Sequence, residues 1–205
     1  GCVIKKVQVT MDTNSVKQIV SFLNSLNIPY VIHAGFGLHL RGFSSEMDDI
    51  DVKVYHDDLD FIYEKAKNYF KGTSIKKVSG GSGNFGSYIF DRIEIETKTP
   101  IDICTRTGAL KGNLGEFEFP FSLEIFENVE VFDFKGILIP VVSIESLFLY
   151  YLILDRGEND HKNDRDKIVE ILNSKHFEEK SFYKLLNHHL QKDLAVNLYR
   201  SFLNC

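Results

Sequence analysis

Apolar residues recur along this chain with two periods, and the change from one to the other marks the predicted elements. Val16, Ile19, Val20, Leu23 and Leu26 fall on one face of a helix. Thr13, Asn14 and Ser15 offer caps before them, and Asn27 and Pro29 close the segment. Ile28 to Ala34 then reads as a core strand, Phe36 to Arg41 as the first turns of a helix, and Ile50 to Tyr55 as a second strand. Leu59, Ile62, Tyr63, Ala66 and Phe70 predict another amphipathic helix, closed by Gly72. Shorter strands are predicted at Val3–Val9, Ser74–Val78, Tyr88–Phe90, Ile93–Glu96 and Pro100–Thr105. Two more follow at Val129–Phe134 and Gly136–Val142, where Pro140 confines the second to an edge or an end. Leu114 to Phe121, aromatic, acidic and interrupted by Pro120, shows no clear period.

From Ser143 onward the pattern is helical. Ser143 can cap a helix through Leu154, and the run Leu147–Leu154 is apolar on every side. It falls short of the roughly 18 residues of a membrane span, so it predicts a buried helix. Phe182–Leu190 and Leu194–Leu203 read as two short helices. The expected architecture is α/β (α+β): a mixed sheet flanked by helices over residues 1–142, then a helical part over 143–205.

Candidate chemistry concentrates between Val31 and Tyr55. An apolar run ends in the small residues Ala34, Gly35 and Gly37, and a polar loop holding Ser44, Ser45 and Glu46 precedes Asp49-Ile50-Asp51. Alternate strand residues share a face, so Asp49 and Asp51 project together. Two carboxylates that close repel unless a cation lies between them, and hard divalent ions take such oxygens as ligands. A turn of small residues lets backbone N–H groups approach a phosphate. Asp102 stands alone among β-branched apolar neighbours, an unusual place for a carboxylate without a task. Its rivals Glu94 and Glu96 alternate along a more amphipathic strand.

This pattern resembles the signature of the nucleotidyltransferase superfamily with its polymerase-beta-like fold: a small-small pair after a strand, then acid-apolar-acid on the next. Ala34-Gly35 takes the place of the pair, with Ala34 where the first glycine is usual; thirteen residues intervene before Asp49-Ile50-Asp51-Val52. The version most similar is that of abortive-infection-type toxins and related bacterial and archaeal proteins. The resemblance implies a nucleotidyltransferase-like mixed sheet and a third acid from a later strand, the position Asp102 matches. It implies Mg2+ (or Mn2+) held by Asp49, Asp51 and Asp102, with a nucleoside triphosphate as substrate. Ala34, Gly35, Phe36 and Gly37 would steady phosphates through backbone N–H groups, and Ser44 or Ser45 through a hydroxyl. Lys162, Arg165 or Lys167 would meet the triphosphate or the acceptor; the plain alternative for that charged segment is a solvated helix start. The lysine that the family often carries on the helix after Ser143 is replaced here by Tyr150-Tyr151. The acceptor stays open among tRNA, protein and small molecule. A degenerate member serving as a binding or regulatory module, and a toxin-like transferase acting on tRNA, are the alternatives.

Composition narrows the field. The chain has 205 residues, 43% of them hydrophobic and 17 of them Phe, enough for a substantial core. A net charge of −5 argues against a broad nucleic-acid-coating surface, though not against a local basic patch. Cys2, Cys104 and Cys205 are scattered and odd in number, so a disulfide framework is not expected and a reducing cytoplasm fits. The segment Gly80–Ser87 lacks the Lys-Ser/Thr ending of a P-loop and reads as a connection. His188 and His189 are adjacent and would point about 100° apart on a helix, which disfavours a metal pair.

Overall fold

The computed structural model describes residues 11–43, 47–78, 87–88, 91–106, 109–112, 115–118, 123–156, 164–187 and 192–204. The predicted strand at Val3–Val9, Ser44, Ser45, most of the glycine-rich segment, Lys162 and the His188-His189 pair lie outside the described residues. The chain runs α1 (Thr13–Leu26), β1 (Tyr30–His33), α2 (Ala34–Leu40), β2 (Ile50–Val54), α3 (Leu59–Tyr69), β3 (Ile75–Val78), β4 (Ser87–Tyr88), β5 (Arg92–Ile95), β6 (Ile101–Thr105), β7 (Ala109–Gly112) and β8 (Gly115–Glu118). It continues through α4 (Leu123–Glu127), β9 (Glu130–Phe134), β10 (Ile137–Val141), α5 (Ile144–Leu154), α6 (Asp164–Leu172), α7 (Glu179–Leu186) and α8 (Lys192–Leu203).

Seven strands form one mixed sheet in the order β3-β5-β6-β2-β1-β10-β9, and β4, β7 and β8 form a second, smaller sheet. Within the large sheet β2 pairs with β6, and β1 with β10, in parallel; the other neighbours are antiparallel. One face of its centre is apolar. Ile32, Ile50, Val52, Val54, Ile93, Ile95, Ile101 and Ile103 are all buried there in one core with Val16, Ile19 and Leu23 of α1 and Ile62 and Ala66 of α3. The opposite face meets the helical part through α5. All eleven residues of α5 are buried, including Glu145, so it is a plank inside the protein rather than an amphipathic cover. Phe148, at its centre, packs against Phe177, Phe182 and Tyr199 with ring centroids 4.7, 5.0 and 5.6 Å away.

Local chemistry explains most element ends. The cap of α1 is Asp12, not one of the three residues after it: its carboxylate accepts from the Ser15 N–H at 2.9 Å. Asn27 ends α1 in the left-handed conformation, and Ser143 caps α5 as its sequence suggests, accepting from the Ser146 N–H at 3.2 Å. β10 lies inside the sheet, yet Pro140 is tolerated near its end, because the pairing with β1 begins only at Val141. The β7–β8 hairpin and α4 have no counterpart among the predicted elements. Strands of four residues and a helix of five are too short to show a period.

The charged segment after α5 is not simply a solvated helix start. Asp164, the first residue of α6, is fully buried. Its carboxylate accepts from Nε and Nη2 of Arg156, both at 2.8 Å, and from the Arg156 N–H at 2.7 Å. Arg156 is itself 5% exposed, so two charges are held out of water by each other. Replacing Asp164 by Ala would strand a buried guanidinium. The expected cost is about 3–5 kcal/mol of unfolding free energy, measured by denaturant titration against the native chain.

Candidate metal and nucleotide site

The acids of the predicted site come together at one end of the sheet. Asp51 on β2 lies directly opposite Asp102 on β6, and Asp49 sits in the bend just before β2. One carboxylate oxygen from each of the three lies within 4.8 Å of the others. Pleating puts Asp49 and Asp51 on one face, and the parallel β2–β6 register adds Asp102 to it. β6 is an interior strand, so Asp102 is not the surface residue of an edge.

The register extends the pattern into two rows across the sheet. His33, Asp51, Asp102 and Glu94 are paired in turn across β1, β2, β6 and β5. Val31, Lys53, Cys104 and Arg92 form the next row, one pleat further from Asp49. His33 is 3% exposed and meets the ring of Tyr150 edge-on, with centroids 4.4 Å apart. Burial, with the Lys53 charge nearby, keeps its imidazole neutral. Burial also pushes the Cys104 thiol up to about 11. Arg92 donates to Oε1 of Glu94 from Nε at 3.1 Å and from Nη2 at 2.7 Å. His33, Lys53 and Arg92 were absent from the sequence-based set. Their signal was there, in the alternation of β1, β2 and β5, but pairing register is needed to see that the three strands share it.

Asp102 carries the electrostatic mark of the cluster. Its carboxyl is pushed up to about 7, first by burial and then by the charge of Asp49, with which it also shares a hydrogen bond; Arg92 pulls the other way and Glu94 adds to the rise. Carboxylates gathered this closely favour either a proton or a cation among them. Three hard oxygen donors gathered in this way suit a hard divalent cation, while thiol and imidazole donors, which favour softer ions, stand outside the triad.

The other predicted site residues divide. Ala34, Gly35, Phe36 and Gly37 form the first turn of α2, directly after β1. Phe36 has its side chain in the core, 0% exposed, against Phe134. Gly37 serves close packing: a Cβ there would stand 3.1 Å from Val141 Cγ1 and 3.3 Å from Leu147 Cδ1. Arg41 bolts this turn down, donating to the Gly37 carbonyl at 2.9 Å and to the Val142 carbonyl at 2.6 Å. Arg165 lies on the surface, 3.4 Å from Asp155. Lys167 is held by Asp164 at 3.3 Å and over the ring of Tyr151.

A chain that passes from a sheet strand through a sharp turn into a short helix, then sets paired acids on the next strand and a third beside them, has a specific architecture. The chain has the nucleotidyltransferase fold. An antigenic nucleotidyltransferase-like protein from Paracoccidioides brasiliensis superimposes with a TM-score of 0.54 at 14% identity, covering 92% of this chain and 87% of that one. The antibiotic-resistance factor ANT(2'')-Ia gives 0.51 at 16% identity, covering 93% and 94%. A candidate nucleotidyltransferase from Thermotoga maritima gives 0.50 at 20% identity, covering 78% and 91%. No protein-family model and no curated protein matches the chain. Ala34, the first residue of α2, adopts φ 55°, in the left-handed region that glycine enters freely.

Two outcomes follow. Ala34→Gly removes that strain and should raise stability by up to about 1 kcal/mol, a gain trimmed by glycine's larger unfolded-state entropy; chemical denaturation measures it. The raised Asp102 carboxyl makes the metal-free protein lose stability as pH rises. The folded state keeps a proton that the unfolded chain has already released, so the contribution is full below the ordinary carboxylate range and is lost towards about pH 7. Asp102→Asn should flatten this slope in thermal melts between pH 4 and 8, and Mn2+ should restore the native protein above pH 7.

Proposed function

We propose that the chain is a nucleotidyltransferase dependent on Mg2+ or Mn2+, moving a nucleoside monophosphate from a nucleoside triphosphate to a hydroxyl acceptor. The observation that carries this reading is the convergence of Asp49, Asp51 and Asp102 on one sheet face of the nucleotidyltransferase fold. A bound divalent ion would lower the pKa of the acceptor hydroxyl and offset charge on the phosphates. The three carboxylates hold and orient that ion, and their own placement is set by β2 and β6. In the transfer, the acceptor oxygen forms a bond to the α-phosphorus as the bond from that phosphorus to the departing pyrophosphate breaks, and the hydroxyl proton passes to water. The first turn of α2, at Ala34, Gly35 and Phe36, presents backbone N–H groups beside the acids for the phosphates. Ser44, Ser45 and Lys162 remain candidates for further contacts, and Arg165 could reach the acceptor only by leaving Asp155. We retain the division into a core over 1–142 and a helical part over 143–205 as part of this proposal. No helix among the described residues is long and apolar enough to cross a membrane.

One observation favours a second reading, a catalytically silent binding module. Tyr150 and Tyr151, where the resemblance leads one to look for a lysine, are buried, and Tyr150 packs on His33. Thermal-shift titration separates the two. Saturable binding of a nucleoside triphosphate at a hundredfold excess over Kd adds about 2.7 kcal/mol. The expected result is a Mg2+-dependent shift with at least one nucleotide that is lost in Asp49→Asn/Asp51→Asn. Asp51→Asn alone should remove nearly all transfer, measured as pyrophosphate release with acceptor, while leaving the fold intact. The absence of any nucleotide shift would favour the silent module.

A further inference from the structure

The two edges of the large sheet are built differently. At one, β3 carries Lys76 and Lys77, both exposed, paired with Glu96 at 2.9 Å and with Asp60. Lysines on an edge strand discourage pairing with another chain. At the other, β9 reads Glu130-Val131-Phe132-Asp133-Phe134, without lysine, proline or bulge, and among the described residues no further strand pairs with it. Val131 is 61% exposed there, and Leu138 on β10 is 65% exposed on the same face. Lys135 and Gly136 join the two strands in a two-residue turn with φ 51° and 85°. Such a turn has Phe134 and Ile137 exchange both backbone hydrogen bonds, and alternation extends this to Phe132 and Glu130. The N–H and C=O groups of Val131 and Asp133 therefore point outward, away from β10. Both acids of the strand are engaged within their own copy: Glu130 lies 3.3 Å from Arg41, and Asp133 accepts from the Gly136 N–H at 2.7 Å.

We propose that a second copy of this chain docks on this edge, with the two β9 strands antiparallel about a twofold axis at Phe132. The strand fits itself in that register. Val131 faces Asp133 of the partner subunit, and these are the residues whose backbone groups point outward, so each such pair exchanges its hydrogen bonds. Glu130 faces Phe134 of the partner subunit, and Phe132 faces Phe132 of the partner subunit, so no like charges are opposed and an aromatic pair forms on the axis. A slip of one residue would set outward groups against inward ones, and centring on Asp133 would oppose two carboxylates. A foreign basic strand would gain little, because Glu130 already has Arg41 and Asp133 its turn N–H. The contact is isologous, so it closes as a dimer and leaves no β9 edge open. Glu130 also places the seam one ion pair from Arg41, which holds the Gly37 carbonyl of the α2 turn. A seam of five-residue strands buries less than a standard interface, so the expected Kd is about 10–100 µM.

Sedimentation equilibrium of the full chain between about 5 and 500 µM tests this. The native chain should pass from monomer to dimer within that range. Val131→Pro removes an outward donor without breaking a bond to β10, and should weaken the dimer about tenfold or more. Val131→Asp opposes carboxylates across the seam and should do the same, whereas Val131→Lys sets opposite charges there and should keep the dimer. A native chain that stays monomeric throughout would overturn the proposal, whether the edge is then bare or covered by another segment or peptide, and this measurement needs no variant to fold. A dimer as tight as the native one in Val131→Pro or Val131→Asp, with folding checked by circular dichroism, would also overturn it, because the contact would then lie elsewhere.

Discussion

Mutual repulsion among Asp49, Asp51 and Asp102 is the constraint around which the molecule is built. Carboxyl oxygens within 4.8 Å of one another, partly withdrawn from water, are unfavourable when all are ionised. The sheet can enforce this because its opposite face is wholly committed. Ile50, Val52, Ile101 and Ile103 alternate with the acids and are buried against α1 and α3. A one-residue slip of β2 against β6 would turn the carboxylates into that core and the isoleucines out of it, so the hydrophobic pattern locks the register that brings the charges together.

The helical part closes the same face from the other side. α5 supplies no amphipathic stripe; it is enclosed on every side, with Tyr150 against His33 at one contact and an aromatic cluster around Phe148 at another. Arg41 ties α2 to the strand end at Val142, just before the cap of α5. The turn that carries Ala34 to Gly37, the acids and the helix that backs them are therefore fastened at one corner, with the left-handed Ala34 three residues before the closely packed Gly37.

Much of this was legible in the sequence because its signals are local. Val16 to Leu26 announces α1 by its period, and Asp49-Ile50-Asp51 announces a strand with two acids on one face. Asp102 was picked out by its isolation among β-branched residues, which needs no knowledge of pairing. What stayed hidden depends on strands distant in sequence. That Lys53 is buried follows from its position in the middle of the sheet, and that Glu94 lies beside Asp102 follows from β5 pairing with β6. Asp164 looked like one charge among many until its neighbour Arg156 was seen folded back on it. The hairpin of β7 and β8 was missed because strands of four residues hold too few alternations to stand out.

The parallel pairing of β2 with β6 also bears on how the chain reaches its native state. Asp51 meets a partner 51 positions further on, after α3, β3, β4 and β5 have intervened, and β1 meets β10 across a still longer span. Contacts of such sequence separation form slowly, since loop-closure entropy is lost before they return any stability. Hairpins such as β9 with β10 can form early and locally; the carboxylates converge only when the sheet is nearly complete. Their repulsion therefore weighs on the last steps of assembly and leaves the nucleus untouched. An acidic centre built from distant strands lets the chain collapse first and meet its electrostatic penalty afterwards.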